Sequence, residues 1–313
     1  AMNSLIEFDL EVNDSSLKVE IPVLEITGDE SDQTLFIFAS LHGDEYEASS
    51  AIYNLKDYLK SQPISGRIFA FPISNPLAFY ANERCTPKEF DAKNLARSFP
   101  GNVDGTITEK IANVLWQFVL SHQSRENFIL DLHSGGQHYS YAHLSGVRDL
   151  QLTSRQSKIS MDLARAMLIQ NLWFMPATEG TLSTEAIRAG IPAIGCEVEG
   201  TGGLNQTDVN VYLNGILNVL RYTKQLKTGE LILEPAKFIP IETINSPTTG
   251  FISQIPKLHT KLNEGEVICQ LLDEYGELKA EVLSPCTGEI WAIRRNPSIQ
   301  NDEILAIVSK ERI

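Results

Sequence analysis

The feature that most constrains the fold is a largely apolar run, residues 35–41, that leads directly into His42. Such a run predicts a buried strand, and a helical repeat of apolar residues begins soon after it. Glu45 follows the histidine at the point where this helix is predicted to begin. Imidazole nitrogen and carboxylate oxygen are ligands that Zn²⁺ accepts, and a strand end that opens into a loop lets both side chains turn to one point. The junction therefore predicts two metal ligands.

The same spacing also fits an ordinary helix start, whose acidic first turn the helix dipole stabilises. A catalytic zinc site uses three protein ligands and leaves one position for water. His133 is the candidate third ligand, because it ends a second apolar strand, residues 127–132. The carboxyl ends of parallel strands meet at one edge of a sheet, so the two histidines can meet there. The alternative for His133 is a strand-end residue that binds a nearby backbone group.

A third predicted strand, residues 191–194, runs into a glycine-rich loop that carries Glu197 and Glu199. A carboxylate at this edge is a candidate general base. The alternative is that both glutamates are solvated strand-end residues. The pattern alone does not choose between the two.

Residues 77–105 form a long polar segment with weak periodicity that contains Arg84 and Arg97. A loop of this length inside a compact domain is more often functional than idle. Arginine binds carboxylates with a planar, permanently charged fork. These two arginines are therefore candidate anion-binding groups, and the alternative is that both are solvated or salt-bridged surface residues.

Apolar periodicity predicts alternating strands and helices in the first part of the chain, and therefore an α/β fold for residues 1–230. From residue 231 helical periodicity disappears, and short alternating runs separated by turns predict a small all-β domain, residues 231–313. The remaining predicted elements are strands at 17–26, 67–73 and 172–175, helices at 45–60, 107–121, 154–170, 181–189 and 208–226, and a polar turn at 28–33.

Composition excludes several classes of protein. The 313 residues carry a formal net charge of −14 with no basic tract, which repels nucleic acids and anionic membranes. The four cysteines lie far apart without CxxC spacing, which argues against a cysteine zinc site or a disulfide framework. The apolar runs are too short to span a bilayer, and no signal-like segment begins the chain. We expect a cytoplasmic protein with no nucleic-acid or membrane partner.

The motifs occur in an order that resembles the succinylglutamate desuccinylase/aspartoacylase family of the zinc carboxypeptidase superfamily. The resemblance covers residues 35–209 and includes the segment 180–194. The motifs that carry it are His42-x-x-Glu45, Arg84, Asn94-Leu95-Ala96-Arg97, Asp131-Leu132-His133 and Glu197.

This resemblance implies a doubly wound α/β domain with a mixed sheet of the zinc-carboxypeptidase type. It implies that Glu197 is the general base and acid, that Arg84 stabilises the developing oxyanion and that Arg97 binds a substrate carboxylate. Glu197 is preferred because only this glutamate aligns without gaps with the family's Glu-x-Gly-Gly-Gly pattern, whereas Glu199 occupies a place where glycine is usual. One Zn²⁺ per chain is expected on His42, Glu45 and His133.

The chain departs from the family pattern at Ala96, where asparagine is usual. An amide that helps to bind the substrate is therefore missing, which costs about 1–3 kcal/mol if its partner is left unpaired. Either the substrate presents a different group there, or the protein has lost the activity and kept the fold and metal. Asn94 is a candidate to supply an amide from a neighbouring position.

The all-β domain resembles, more faintly, the barrel-sandwich fold of biotinyl and lipoyl domains, through residues 281–288 and 301–305. In those carrier domains a modified lysine lies eight residues before the matching proline, and Glu277 occupies that position here. We therefore expect no prosthetic group, and a shielding or substrate-gating role instead.

The first functional hypothesis is a zinc-dependent amidohydrolase that removes an acyl group from a small N-acylated amino acid or related amine. A zinc carboxypeptidase or amidase acting on short peptides uses the same catalytic groups and is the second. The third is a metal-binding ligand sensor without catalysis, which the departure at Ala96 motivates. The sequence leaves open the acyl group, the amine and the oligomeric state, a homo-oligomer included.

Overall fold

Strands and helices alternate through the first two thirds of the chain in the computed structural model, which describes residues 3–149 and 154–310. In this part the strands are β1 (Ser4–Asp14), β2 (Leu17–Thr27), β3 (Asp29–Phe38), β4 (Ser65–Phe71), β5 (Glu126–Ser134), β6 (Tyr139–Tyr141), β7 (Leu144–Asp149), β8 (Asn171–Pro176) and β9 (Ala193–Val198). The helices are α1 (Glu47–Leu59), α2 (Pro76–Ala81), α3 (Ile107–Ser121), α4 (Ser154–Ala166), α5 (Leu182–Arg188) and α6 (Gln206–Tyr222), with a short 3₁₀ helix at Leu95–Arg97. No helix in the described ranges is long and apolar enough to cross a membrane.

The central strands build a mixed sheet in the order β1-β2-β4-β3-β5-β9-β7-β8. Strand β3 is parallel to both β4 and β5, and β5 is parallel to β9. Strand β7 then runs antiparallel to β9. The predicted mixed α/β sheet is confirmed, and the carboxyl ends of β3, β5 and β9 lie at the same edge of it.

The sheet is covered on both faces, which explains why β3 reads as a continuous apolar run. Leu35, Ile37 and Ala39 pack into a core with α1, α4 and α6. Phe36 and Phe38 point to the opposite face and pack into a second core with α3 and α5. Both faces of the strand are therefore free of polar side chains where it approaches His42.

The region after residue 230 is built from strands and contains no helix within its described part. Strand β10 (Phe238–Asn245) pairs in parallel with β8 and antiparallel with β17 (Ile304–Lys310), so this region continues the main sheet. The other strands are β11 (Gly250–Ser253), β12 (Lys261–Leu262), β13 (Val267–Leu272), β14 (Leu278–Leu283), β15 (Gly288–Arg294) and β16 (Ser298–Ile299). Strands β14, β13, β11 and β16 form a second sheet. The domain boundary and the barrel-sandwich likeness stay predictions.

Two local predictions are wrong. Residues 28–33 are not a turn, because β3 already begins at Asp29; its first residues are polar and largely exposed, whereas the last five are buried. The predicted loop 77–105 is not irregular throughout, because α2 begins at Pro76: the Asn75 side chain accepts a hydrogen bond from the amide of Ala78, and Pro76 occupies the first turn. An asparagine cap followed by proline is a favoured helix start.

Candidate metal centre and active-site cavity

Three predicted ligands meet at the carboxyl edge of the sheet. His42 lies in the loop after β3, Glu45 lies just before α1, and His133 lies near the end of β5. One ligand atom of each lies within 4.8 Å of the others. His42 Nδ1 is 2.8 Å from Glu45 Oε1, and His133 Nδ1 is 3.0 Å from Glu45 Oε2. The two histidines therefore face the two oxygens of one carboxylate.

The loop between His42 and Glu45 needs glycine at position 43. A Cβ atom at Gly43 would lie 2.1 Å from the backbone carbon of Ala78 in α2. No side chain fits at that distance, so glycine lets the loop pass against α2. A side chain at position 43 would push the loop that carries His42 away from α2.

The outer nitrogen of each histidine faces an oxygen. Asn94 Oδ1 accepts a hydrogen bond from the amide of Ala96 and lies 3.0 Å from His42 Nε2. Because this oxygen can only accept, His42 Nε2 is the donor and Nδ1 carries a lone pair. His133 Nε2 lies 2.7 Å from Asp131 Oδ1. An oxygen acceptor on the Nε2 side of each ring therefore orients Nδ1 toward Glu45. Metal-binding histidines are commonly oriented in this way, by a hydrogen bond from the nitrogen that does not bind the metal.

The donor set fits a cation. Burial lowers the pKa of His42 to about 4, with the nearby Arg84 guanidinium as the second cause. The ring is therefore neutral near pH 7, and its lone pair faces a carboxylate oxygen at 2.8 Å. Burial alone raises the pKa of Glu45, but the adjacent histidines outweigh it and lower this pKa, so the carboxylate is charged. Two acceptors in contact repel each other unless a cation balances them, and two imidazoles with one carboxylate suit Zn²⁺.

Glu197 lies beside this cluster on β9, where it pairs in register with His133 on β5. Its Oε2 atom is buried and has no hydrogen-bond partner among the described residues. Burial raises the pKa of this carboxyl well above its ordinary value, against the influence of His133. Glu199 is exposed, and its backbone oxygen accepts a hydrogen bond from Tyr141.

The Arg84 guanidinium lies at the same edge. Its Nη1 atom is 3.3 Å from Glu45 Oε1, and its guanidinium carbon lies 5.4 Å from the centre of the Tyr139 ring. The contact with a carboxylate and the contact with a ring face orient the arginine from two sides. It is a fixed positive charge next to the metal-ligand cluster.

A cavity of about 100 Å³ opens between these groups. Its walls combine charged side chains from the α/β part with mostly apolar side chains from the strands after residue 230. The charged members are Arg84, Arg97, Asp131, Arg148 and Glu197, beside His42 and His133. The later strands supply Ile241, Thr243, Ile304 and Ile307. The size of the cavity fits a small molecule.

Ala96 and Asn94, in and next to the 3₁₀ helix, lie in different surroundings. Ala96 is buried in the second core, and its side chain packs there with Leu95 and Phe99. Asn94 lines a neighbouring outer pocket that shares Arg84 and Arg97 with the cavity. The carboxamide oxygen of Asn94 is already engaged by His42 and the Ala96 amide.

Comparison with known proteins identifies the family. A profile described as "Succinylglutamate desuccinylase/Aspartoacylase catalytic domain" matches residues 31–223. The chain belongs to the succinylglutamate desuccinylase/aspartoacylase family. It is 27% identical over 302 residues to an N-alpha-acetyl-L-2,4-diaminobutyric acid deacetylase from Halomonas elongata, a match that covers 93% of this chain and 86% of that one.

Solved structures show the same fold over nearly the whole length. The product-bound ectoine utilization protein EutE (DoeB) from Ruegeria pomeroyi is 24% identical with a TM-score of 0.83, and the match covers 99% of this chain and 94% of that chain. An aspartoacylase family protein from Mesorhizobium loti is 25% identical with a TM-score of 0.80, over 100% and 96% of the two chains. A succinylglutamate desuccinylase/aspartoacylase from Rhodobacter sphaeroides is 21% identical with a TM-score of 0.83, over 99% and 96%.

The structure brings together most of the residues that the desuccinylase/aspartoacylase resemblance singled out. Glu197 lies in the cavity with Arg84 and Arg97, whereas Glu199 and Asn94 do not line it. Sequence reasoning missed Arg148, because β7 was not predicted. The available signal was the alternation Leu144, Gly146, Arg148, which places an arginine on one face of a short strand.

Proposed function

We propose that this chain hydrolyses the amide bond of a small N-acylated amino acid or related amine, with one Zn²⁺ bound by His42, Glu45 and His133. The observation that carries the proposal is the buried, unpartnered oxygen of Glu197 beside the three clustered ligands, at the wall of a cavity that contains arginines. A buried carboxylate oxygen without a hydrogen-bond partner destabilises the folded state. Such groups are found mainly at functional sites.

The ion, when bound, would polarise the acyl carbonyl and lower the pKa of water to about 7. Glu197 accepts a proton from the attacking water, whose oxygen bonds to the acyl carbon. The C–N bond then breaks, and Glu197 passes the proton to the leaving nitrogen. Its raised pKa suits this exchange, because burial makes the carboxylate a stronger proton acceptor.

The arginines have separate tasks in this proposal. Arg84, fixed beside Glu45, stabilises negative charge that develops on the carbonyl oxygen. Arg97 binds a substrate carboxylate from the cavity wall. Asn94 holds the His42 ring through its oxygen, and its amide nitrogen is available to a substrate that extends into the outer pocket.

We propose that the region from residue 231 is a second domain that shields the site. Its side chains Ile241, Ile304 and Ile307 form part of the cavity wall. Apolar walls exclude water and strengthen electrostatic interactions inside the cavity. The Glu277 side chain is exposed on the hairpin after β13, and the absence of a prosthetic group from this domain stays a prediction.

The experiment is a substrate panel. The zinc-loaded chain is incubated with Nα-acetyl and Nα-succinyl derivatives of alanine, aspartate, glutamate and 2,4-diaminobutyrate, and the released primary amine is measured. The last amine is included because the Halomonas relative is named for it. We expect release from at least one compound, loss of activity with a chelator and recovery with Zn²⁺. Metal-loaded protein that releases no amine from any compound would overturn the proposal.

The same panel separates the two alternatives. A ligand sensor would bind compounds of the panel and release no amine from them. A carboxypeptidase would release the C-terminal residue from short peptides faster than it cleaves acyl amino acids. The cavity of about 100 Å³ favours the smaller substrates.

A further inference from the structure

The cavity wall holds a third arginine, Arg148, which the proposed reaction does not use. Strand β7 pairs with β9 so that Leu144 lies opposite Glu197 and Gly146 lies opposite Gly195. Side chains alternate along a strand, so Arg148 points to the same face as Leu144, the face that carries Glu197. Four residues at about 3.4 Å each place its Cα about 14 Å along β7 from the Glu197 row. Arg148 therefore enters the cavity from a position away from the metal-ligand cluster.

Its guanidinium group is oriented by neutral groups. Arg148 Nε donates to Ser183 Oγ at 2.8 Å, and Nη1 donates to the backbone oxygen of Pro176 at 2.9 Å. These two bonds fix the plane of the fork and leave donors for a further acceptor. Within the described residues, neither Arg148 nor Arg97 forms an ion pair with a carboxylate, and Arg97 Nη1 donates to the backbone oxygen of Ala96 at 3.0 Å.

Two arginines thus face one cavity without a carboxylate partner of their own. They lie close enough to oppose each other's charge: the surrounding protein is the first cause that lowers the pKa of Arg148 to about 10, and Arg97 is the second. Both guanidinium groups remain charged at neutral pH. Asp131 and Glu197 line the same cavity and offset part of this positive charge, but neither forms an ion pair with Arg97 or Arg148 in the part of the chain that the structure describes. Two guanidinium groups on one cavity wall therefore favour a further anion between them.

We propose that Arg148 is a specificity-determining residue that binds, together with Arg97, a carboxylate of the substrate. This inference rests on the proposed function for the identity of the substrate as an acylated amine, but it concerns binding and not hydrolysis. The carboxylate belongs either to the amino-acid half or to the acyl half of the substrate. In both cases the cavity selects molecules with a full negative charge at a distance from the amide bond.

Three small probes test the proposal by equilibrium binding to the full chain kept in chelator, where no metal-dependent turnover occurs. N-acetyl-L-alanine carries a carboxylate on the amino-acid half, N-methylsuccinamate carries one on the acyl half, and N-acetyl-L-alaninamide is neutral. We expect the wild-type chain to bind one of the two carboxylates more tightly than the neutral amide. The better carboxylate shows which half of the substrate faces Arg148.

Variants then assign the preference to the residue. Arg148→Gln weakens binding of the preferred carboxylate by about 10- to 100-fold, as expected for loss of charge-assisted hydrogen bonds, and leaves the neutral amide within about twofold. Arg148→Lys keeps the charge but lacks the planar guanidinium group, and its affinity for the preferred carboxylate should lie between those of the wild type and Arg148→Gln. Arg125→Gln is the matched control, because it removes the same charge from a side chain that is 82% exposed outside the cavity. Thermal unfolding of each variant verifies that it is folded.

Two results would overturn the inference: a wild-type chain that binds neither carboxylate better than the neutral amide, or an Arg148→Gln variant that affects charged and neutral probes alike. These outcomes are separate from the fate of the proposed function. If the chain binds carboxylates through Arg148 but releases no amine, the proposed binding site stands and the proposed hydrolase function fails. If the wild-type chain releases amine and the Arg148→Gln variant binds the carboxylate probes as the wild type does, the hydrolase function stands and the role of Arg148 fails.

Discussion

The two sides of the cavity contribute different kinds of atoms. The edge of the α/β sheet supplies groups that carry charge or protons, among them His42, His133 and Glu197. The strands after residue 230 supply mainly aliphatic surface, through Ile304 and Ile307. Among the described residues that line the cavity, every ionisable group of the proposed reaction comes from the α/β part, and the later strands add uncharged surface. Substitutions on the two sides should therefore have effects of different size and kind.

The largest expected effect separates two glutamates at the same edge. Glu197→Gln should lower kcat by about 10²–10⁴-fold, because it removes the proton acceptor and donor. Glu199→Gln, two residues away and exposed, is the matched control and should stay within about twofold. Steady-state kinetics on the best panel substrate measures both variants. An equal decrease of kcat in the two variants would contradict the assignment of the general base to Glu197.

A smaller effect is expected on the enclosing side. Ile304 lines both the cavity and the outer pocket that shares Arg97. Ile304→Asp adds a carboxylate that competes with the substrate for the arginines, and KM should rise by about 10-fold with a smaller change in kcat. Ile304→Asn makes a similar loss of apolar surface without the charge and is the control. If the two variants raise KM equally, enclosure and not charge limits binding on this side.

The smallest effect concerns a titratable pair of the α/β part that does not line the cavity. His143 Nε2 lies 2.7 Å from Asp208 Oδ1, and this hydrogen bond is the first cause that raises the pKa of His143. A raised folded-state pKa stabilises the fold below the ordinary value near 6.5, and the contribution is lost as pH rises through the folded pKa. His143→Gln should therefore lower the midpoint of thermal unfolding more at pH 6 than at pH 9, with kcat unchanged. A pH-independent loss of stability would contradict the ionic contribution of this pair.

The sequence predicts the edge of the sheet well for a physical reason. A strand covered on both faces is largely apolar, so a polar residue at its end is conspicuous, as His42, His133 and Glu197 are. The order of such ends along the chain is enough to suggest a shared site. The family resemblance then supplies the roles that spacing alone leaves open.

The rest depends on pairing that is remote in sequence. Strand β7 is short and contains Gly146, so its apolar signal is weak, and the placement of Arg148 follows only from its register with β9. The apolar run of β17 predicts that Ile307 is buried, but it does not predict that the neighbouring space is the cavity. Strand β1 was not predicted, although residues 6–12 alternate between apolar and acidic side chains, which is the pattern of a half-buried strand. Its partner β2 fixes its register.

The central claim is that His42, Glu45 and His133 bind one Zn²⁺. The most direct measurement is the zinc content per chain after dialysis, by elemental analysis of the wild type, His133→Ala and His143→Ala. We expect about one equivalent of zinc per chain in the wild type and in His143→Ala. His133→Ala should lose the bound zinc, because the site then has only two protein ligands. Wild-type protein without zinc, or a His133→Ala variant that retains a full equivalent, would contradict it.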